Sequence, residues 1–296
     1  MAILIDNKTK VIVQGMTGEA GTFHAGRMID YKTKVVGGVT PGKGGTTHLD
    51  LPVFDTVREA VDEIGAEASI IFDSAAFAAD SIMEAANAGI KYCVCVTKGI
   101  PAQDMMRVKR YIRSFEEKHR MILMGSNSAG VISPGRALLG TMPGYLFKEG
   151  HIGIITRSGT LGFEVVSQLS AMDIGVSTCV GVGSATILGS SYVDHLKLLE
   201  DDPETKAIIM IGEIGGTQEV DAARFFKEKM KKPLLGYIAG LSAPMGIRMG
   251  HAGTIISGFG ESAEEKVEVL RECGVTIVPN PAEFGDSAKK VLSSLN

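Results

Sequence analysis

The sequence has 296 residues, 45% hydrophobic and 22% charged, enough for two ordinary α/β domains of globular type. A net charge of -4 and a 6% aromatic content without Trp give no electrostatic or stacking case for nucleic acid. No apolar run approaches the roughly 18 residues that cross a bilayer.

The first half alternates strand and helix signals. Strand runs at Lys10–Gln14, Lys34–Gly38, Ala68–Asp73, Tyr92–Val96 and Met121–Met124 are separated by helical patterns at about Thr22–Tyr31, Val57–Ile64, Phe77–Ala88 and Ala102–Glu117. The glycine-rich stretch Thr40–Thr47 reads as a loop. Strands alternating with helices predict βαβ units and a parallel sheet. From Ser126 to Gly150 the rhythm breaks, and this Gly-, Pro- and Ser-rich stretch reads as an inter-domain connection.

A second alternating run follows. Its strands are expected at His151–Ile155, Val176–Val180, Ala207–Ile211, Leu234–Tyr237 and Val275–Val278, and its helices at Thr160–Met172, Ser190–Glu200, Gln218–Lys229, Lys266–Cys273 and a last one to about Ser293. The expected layout is a first domain over 1–125, a connection over 126–150 and a second parallel-sheet domain over 151–296. The cysteines, Cys93, Cys95, Cys179 and Cys273, show no zinc spacing. No secretory signal or transit peptide is visible, so the expected location is the cytoplasm, or the mitochondrial matrix in a eukaryote.

Five stretches carry residues suited to chemistry. Gly15-Met16-Thr17-Gly18-Glu19-Ala20-Gly21 joins the first strand to the first helix, where free N–H groups and the helix dipole favour a phosphate. Its G-x-x-G-x-x-G spacing departs from the dinucleotide pattern, and Val36-Gly37-Gly38 stands where an NAD ribose needs an acid, which disfavours a dehydrogenase. Thr40–Thr47 carries one cation, Lys43, suited to a nucleotide 3′-phosphate or simply to solvent. Ser158 reads as a helix N-cap, and the N–H groups of Ser158, Gly159 and Thr160 make either a second anion site or an unliganded cap. Glu213, in Gly212–Gly216, ends a strand and is placed either to orient a histidine or to face solvent. His251 lies between Gly250 and Gly253, unscreened by bulky neighbours and able to exchange a phosphoryl group, an acyl group or a proton.

Taken together, these stretches resemble the α subunit of the succinyl-CoA synthetase superfamily of acyl-CoA ligases. The matching segments are Gly37–Leu51, Gly99–Pro101, Ser158–Leu161, Gly212–Gly216 and Arg248–Gly253. Within the superfamily, Ile100–Tyr111 and Gly274–Gly285 bring the chain nearest to the small subunits of malate–CoA ligases (malate thiokinases). The resemblance implies an α/β fold with a Rossmann-like CoA-binding domain followed by a flavodoxin-like domain. It implies an ATP-grasp β subunit that binds ATP or GTP and Mg²⁺, in an αβ or α2β2 assembly acting on a dicarboxylic acid.

The position matching His251 carries a phosphoryl group in that superfamily, and the one matching Glu213 bonds it. Ser158, Gly159 and Thr160 match the phosphoryl cradle. CoA contacts match Thr17, Gly18, Glu19, Ala20, Gly21, Lys43, Ser74, Ala75, Ala76, Val96, Thr97 and Lys98. The chain departs from the superfamily where Gly183, Ser184, Ala185 and Thr186 replace a Gly-Gly-Asp-Pro loop near the acid, where Ser126 replaces a proline, where Lys98 replaces a common acid, and where Ser74–Ala76 lacks prolines. The altered loop bears on the choice among malate, succinate and citrate. It also leaves open a CoA-binding module without ligase activity, or a citrate–CoA ligase subunit.

Overall fold

A computed structural model describes residues 3–249, 251, 254–258 and 260–295. In the first half, strands β1 (Val11–Gln14), β2 (Val35–Val39), β3 (Thr47–His48), β4 (Leu51–Phe54), β5 (Ala68–Ile71), β6 (Tyr92–Cys95) and β7 (Ile122–Met124) form one sheet in the order β3-β4-β2-β1-β5-β6-β7. All its pairings are parallel except β3 with β4. Helices α1 (Glu19–Asp30), α2 (Val57–Ile64), α3 (Ala78–Ala88) and α4 (Ala102–Ser114) cover its faces.

The second sheet holds β8 (Gly130–Ser133), β9 (Ala137–Gly140), β10 (Glu149–Thr156), β11 (Val176–Gly181), β12 (Ala207–Glu213), β13 (Leu234–Ala239) and β14 (Thr276–Ile277), in the order β14-β13-β12-β10-β11-β8-β9. It is flanked by α5 (Gly159–Ala171), α6 (Tyr192–Asp201), α7 (Gln218–Lys229), α8 (Ala263–Glu272) and α9 (Phe284–Ser293). Two mixed, mostly parallel sheets in tandem make the α/β class that the alternating pattern predicts.

Two parts differ from the sequence reading. The glycine-rich stretch after β2 is not all loop, because Thr47–His48 and Leu51–Phe54 pair antiparallel and extend the first sheet's edge. Segment 126–150 carries the β8–β9 hairpin, which adds antiparallel to β11. Both hairpin strands are buried along their whole length, so no polar–apolar alternation marks them in the sequence.

The hairpin also joins the two halves. Val11 and Val13 of β1 point into a core that continues through Val131 and Leu139 to Ile154 and Ile209, whereas Ile12 points the other way, into a second core beneath α2, α3 and α4. Strands buried on both faces therefore read as continuous apolar runs.

In each sheet one central gap lies where the chain turns from building outward on one side to building on the other. In the first sheet it lies between β1 and β5, and in the second between β10 and β12. Open α/β sheets bind ligands at such switch points, outside the carboxyl ends of the strands. All five chemistry-bearing stretches lie at these ends or on the loops that follow them.

Candidate active site

The second switch point is built around two carboxylates. β12 ends at Glu213, whose residue is only 6% exposed. Its Oε2 lies 2.8 Å from Nδ1 of His251. A carboxylate can only accept, so this contact assigns the ring proton to Nδ1 and leaves the Nε2 lone pair free. Nε2 has no partner among the described residues. The His251 side chain is about one-third exposed, open enough to meet a ligand.

The loop that presents His251 is cross-braced. Gly246 N–H donates to Ile256 O (3.1 Å) and Met249 N–H to Thr254 O (2.8 Å), while the Thr254 hydroxyl reaches both Met249 O and His251 O. Gly250 and Gly253, which bracket the histidine in sequence, lie outside the described residues.

Across the gap β10 leads into α5. Ser158 is the N-cap, its hydroxyl accepting from Leu161 N–H at 3.3 Å. The Ser158 N–H is taken by the Thr156 hydroxyl at 3.0 Å, so of the three N–H groups expected for an anion those of Gly159 and Thr160 remain unpaired among the described residues. They border a cavity of about 300 Å³ that His251, Asn127 and Ser184 also line.

A second cavity, of about 390 Å³, also borders His251. Lys98, Asn127, Ser184, Thr186 and Arg248 line it. The histidine thus borders both the start of α5 and a space lined by two cations, Lys98 and Arg248. Between them the loop after β11 is fixed by Gly183, whose φ of +99° and closeness to Ser126 O leave no room for a side chain. Ser184 is buried, and its hydroxyl accepts from Asn127 Nδ2 at 2.6 Å, which leaves its own O–H without an acceptor among the described residues.

The first switch point is more open. α1 starts at Glu19, within the glycine motif and with Gly18 as its N-cap, and a side chain at Gly21 would meet Gly15 O at 2.1 Å. That close approach explains the last glycine of the motif. Lys43 Nζ donates to the Thr17 hydroxyl at 3.0 Å, so the cation stands over the turn. Asp55 holds the lysine's loop by accepting from the N–H groups of Gly42 (2.7 Å) and Gly44 (2.9 Å).

Ser74–Ala76 follows β5 and Val96–Lys98 follows β6, on neighbouring strands of the same edge. The Thr97 hydroxyl donates to Asp73 O at 2.6 Å, and Asn127 N–H donates to Thr97 O at 3.0 Å. These bonds run from the first crevice through Asn127 to Ser184 and the histidine cavities.

Sequence reasoning did not single out Asp55, Arg157, Glu219 or Lys266. Arg157 Nε lies 3.1 Å from Glu213 Oε1, and Lys266 Nζ 2.6 Å from Glu219 Oε2, all of them buried. Burial works against the Arg157 charge, yet the carboxylates of Glu219 and Glu213 hold its pKa above the ordinary value. The signal was present for Lys266, which shares the inward face of α8 with Ala263, Val267 and Leu270.

Residues 6–99 match the family model described as CoA binding domain, and residues 155–276 match that described as CoA-ligase. The chain is 56% identical over 293 residues to the malate–CoA ligase subunit alpha of Methylorubrum extorquens, covering 99% of both chains. It is 50% identical over 292 residues to the ADP-forming succinate–CoA ligase subunit alpha of Aquifex aeolicus, covering 99% of this chain and 95% of that one. Among solved structures it superposes on the ATP citrate lyase of Methanosaeta concilii in complex with (3S)-citryl-CoA, with a TM-score of 0.90 and 24% identity. That match covers 100% of this chain but only 52% of the lyase chain, and at this identity it speaks for the fold alone.

Proposed function

The chain belongs to the succinyl-CoA synthetase α-subunit family, and from that premise we propose that it is the α subunit of an NDP-forming dicarboxylate–CoA ligase that works through a phosphohistidine at His251. The observation that carries the mechanism is the 2.8 Å contact between Glu213 and Nδ1, which leaves Nε2 as a nucleophile beside the start of α5.

The reaction then runs in three displacements. Nε2 attacks the γ-phosphorus of ATP or GTP, and the bond to the departing diphosphate breaks. The free N–H groups of Gly159 and Thr160, with the dipole of α5, favour the phosphoryl anion by roughly 0.3–1 kcal/mol, more where partly buried. A carboxylate oxygen of the acid next attacks phosphorus as the N–P bond breaks, giving an acyl phosphate. The CoA sulfur, having lost its proton, attacks the acyl carbon and phosphate leaves. Glu213 keeps the proton on Nδ1 throughout and balances the positive charge the ring gains when Nε2 bonds phosphorus.

CoA is assigned to the first switch point, along Thr17–Gly21, Lys43, Ser74–Ala76 and Val96–Lys98. Its residues fit such a ligand. The glycine turn admits a phosphate, Lys43 supplies a cation for the 3′-phosphate, and Val96–Lys98 leads toward the histidine cavities. The nucleotide and its Mg²⁺ are assigned to an ATP-grasp β subunit, in αβ or α2β2 form. Residues 1–125 serve CoA and lend Lys98 to the acid cavity, and 151–296 serve the phosphoryl and acyl chemistry. The acid is assigned to the cavity lined by Lys98, Ser184, Thr186 and Arg248. There the free O–H of Ser184 favours a hydroxylated acid, malate, over succinate.

The test is an acyl-CoA assay of the chain with its β partner, run in parallel on malate, succinate and citrate. Turnover of malate above succinate is expected, with none from the chain alone. A complex that binds CoA but turns over no acid would reduce the chain to a CoA-binding module. Preference for citrate would move the acid assignment.

A further inference from the structure

The carboxylate that orients His251 is itself held by three buried charged residues to which none of these steps assigns a part. Lys266 on α8 is fully buried, and its ammonium has three donors. All three are used: Nζ donates to Glu213 O (2.7 Å), Gly215 O (2.9 Å) and Glu219 Oε2 (2.6 Å). Glu219 on α7, also fully buried, accepts in addition from the backbone N–H of Glu213 at 3.3 Å. Arg157, on the loop after β10, lies with Nε 3.1 Å from Glu213 Oε1 and Nη1 3.6 Å from Glu219 Oε1. Its Nη2 also donates to Ala185 O at 3.4 Å.

Two cations and two carboxylates balance one another within this buried cluster. Each Glu213 carboxylate oxygen faces a different partner, Oε1 the arginine and Oε2 the histidine. The backbone is clamped as well, since Lys266 and Glu219 grip Glu213 at its carbonyl and its N–H. Arg157 meanwhile touches the loop that carries Ser184.

We propose that Lys266, Glu219 and Arg157 are positioning residues of the histidine site: they fix the end of β12 so that Glu213 meets Nδ1 and Nε2 faces the phosphoryl donor, and Arg157 ties that arrangement to the acid loop. The proposal rests on the phosphohistidine reading. A plain folding role for these residues would leave the histidine tautomer and the phosphorylation rate unchanged in any variant that folds.

The experiment uses the complex with its β partner, labelled with ¹⁵N at histidine. The variant Lys266→Met/Glu219→Gln keeps the site electrically balanced and removes the ammonium's grip on the Glu213 carbonyl and on residue 219. Its folding is checked by CoA binding and by a cooperative melt. The single variant Glu219→Gln, close in shape and still able to accept, and Arg157→Lys, which keeps the charge but loses the fork, serve beside it in case the double variant does not fold.

The wild type is expected to show one imidazole tautomer, protonated at Nδ1, and rapid incorporation of label from γ-labelled ATP. Folded double variant is expected to show mixed tautomers and label incorporation about 100-fold slower, the scale of a small misplacement at a reacting centre. Smaller losses of the same kind are expected for the two single variants. Wild-type tautomer and rate in the folded variants would overturn the proposal. Absence of label in the wild type would instead overturn the phosphohistidine reading, so the two failures are told apart.

Discussion

The two switch points solve the same problem with opposite materials. The first holds its cation on an exposed glycine loop, braced by Asp55 and resting on Thr17. The second holds its histidine against Glu213, behind which Arg157, Glu219 and Lys266 are buried. A loop suits a ligand that arrives from solvent and must leave again. A buried, balanced set of charges suits a group whose orientation decides the chemistry, because low surrounding polarity strengthens each contact and penalises any other arrangement. The first site is therefore expected to tolerate change in proportion to the contact removed, and the second to fail as a unit.

The largest effect expected is on stability, and it belongs to the buried half. His195 on α6 is fully buried, with Nε2 2.8 Å from the Ser190 hydroxyl and Nδ1 without a hydrogen-bond partner among the described residues. Burial lowers its pKa from 6.5 to about 4. Above pH 6.5 it is neutral folded or unfolded and costs nothing. As pH falls from 6.5 toward 4 the unfolded chain takes up the proton first, so stability declines by roughly 3 kcal/mol across that window. Melting curves from pH 7 to 4 are expected to show this loss, and His195→Gln to flatten it. An unchanged slope in the variant would show that other groups govern the acid limb.

Next in size is Glu213→Gln. An amide in place of the carboxylate can turn a donor as readily as an acceptor toward Nδ1, so the tautomer is no longer fixed, and it leaves Arg157 unbalanced; phosphorylation by the complex is expected to slow about 100-fold. CoA binding should be untouched. Equal losses in both would mean that the variant damages the fold and that the two sites are not separable.

The smaller effect lies at the first site. Lys43→Ala is expected to weaken CoA about tenfold, the worth of one charged hydrogen bond, and to leave dephospho-CoA nearly unaffected. Asp55→Ala, which frees the loop without removing the charge, should do the same by only a few-fold. Calorimetry on the complex checks both. Equal weakening for CoA and dephospho-CoA would remove Lys43 from the 3′-phosphate.

The same contrast decides what the sequence could disclose. The exposed site is built from local stretches, so its glycine turn and Lys43 are visible as runs of neighbouring residues. The histidine pair spans residues 213 and 251; the strand-end position of Glu213 allowed the link, and the family resemblance favoured it over a solvent-facing glutamate. Their support was only faintly legible. Glu219 and Lys266 sit in helices α7 and α8, where charged residues are ordinarily read as solvent-facing, and only their place on the apolar faces beside Ala222, Ala223, Val267 and Leu270 hints otherwise. The strands of the β8–β9 hairpin stayed hidden for a different reason. Val131, Ile132, Leu138 and Leu139 are buried on both faces, and Gly130, Gly135 and Gly140 gave the segment the composition of a loop. Most other elements showed through because each strand is short, apolar and set between helices with a regular inward face.

The central claim is that a phosphoryl group passes through His251. Incubation of the complex with γ-labelled ATP and Mg²⁺, followed by peptide mapping, tests it directly. An acid-labile, base-stable phosphate on the peptide containing His251, absent from His251→Asn and discharged by adding the acid and CoA, is the expected result. Label on another residue, or label that persists in His251→Asn, would contradict it.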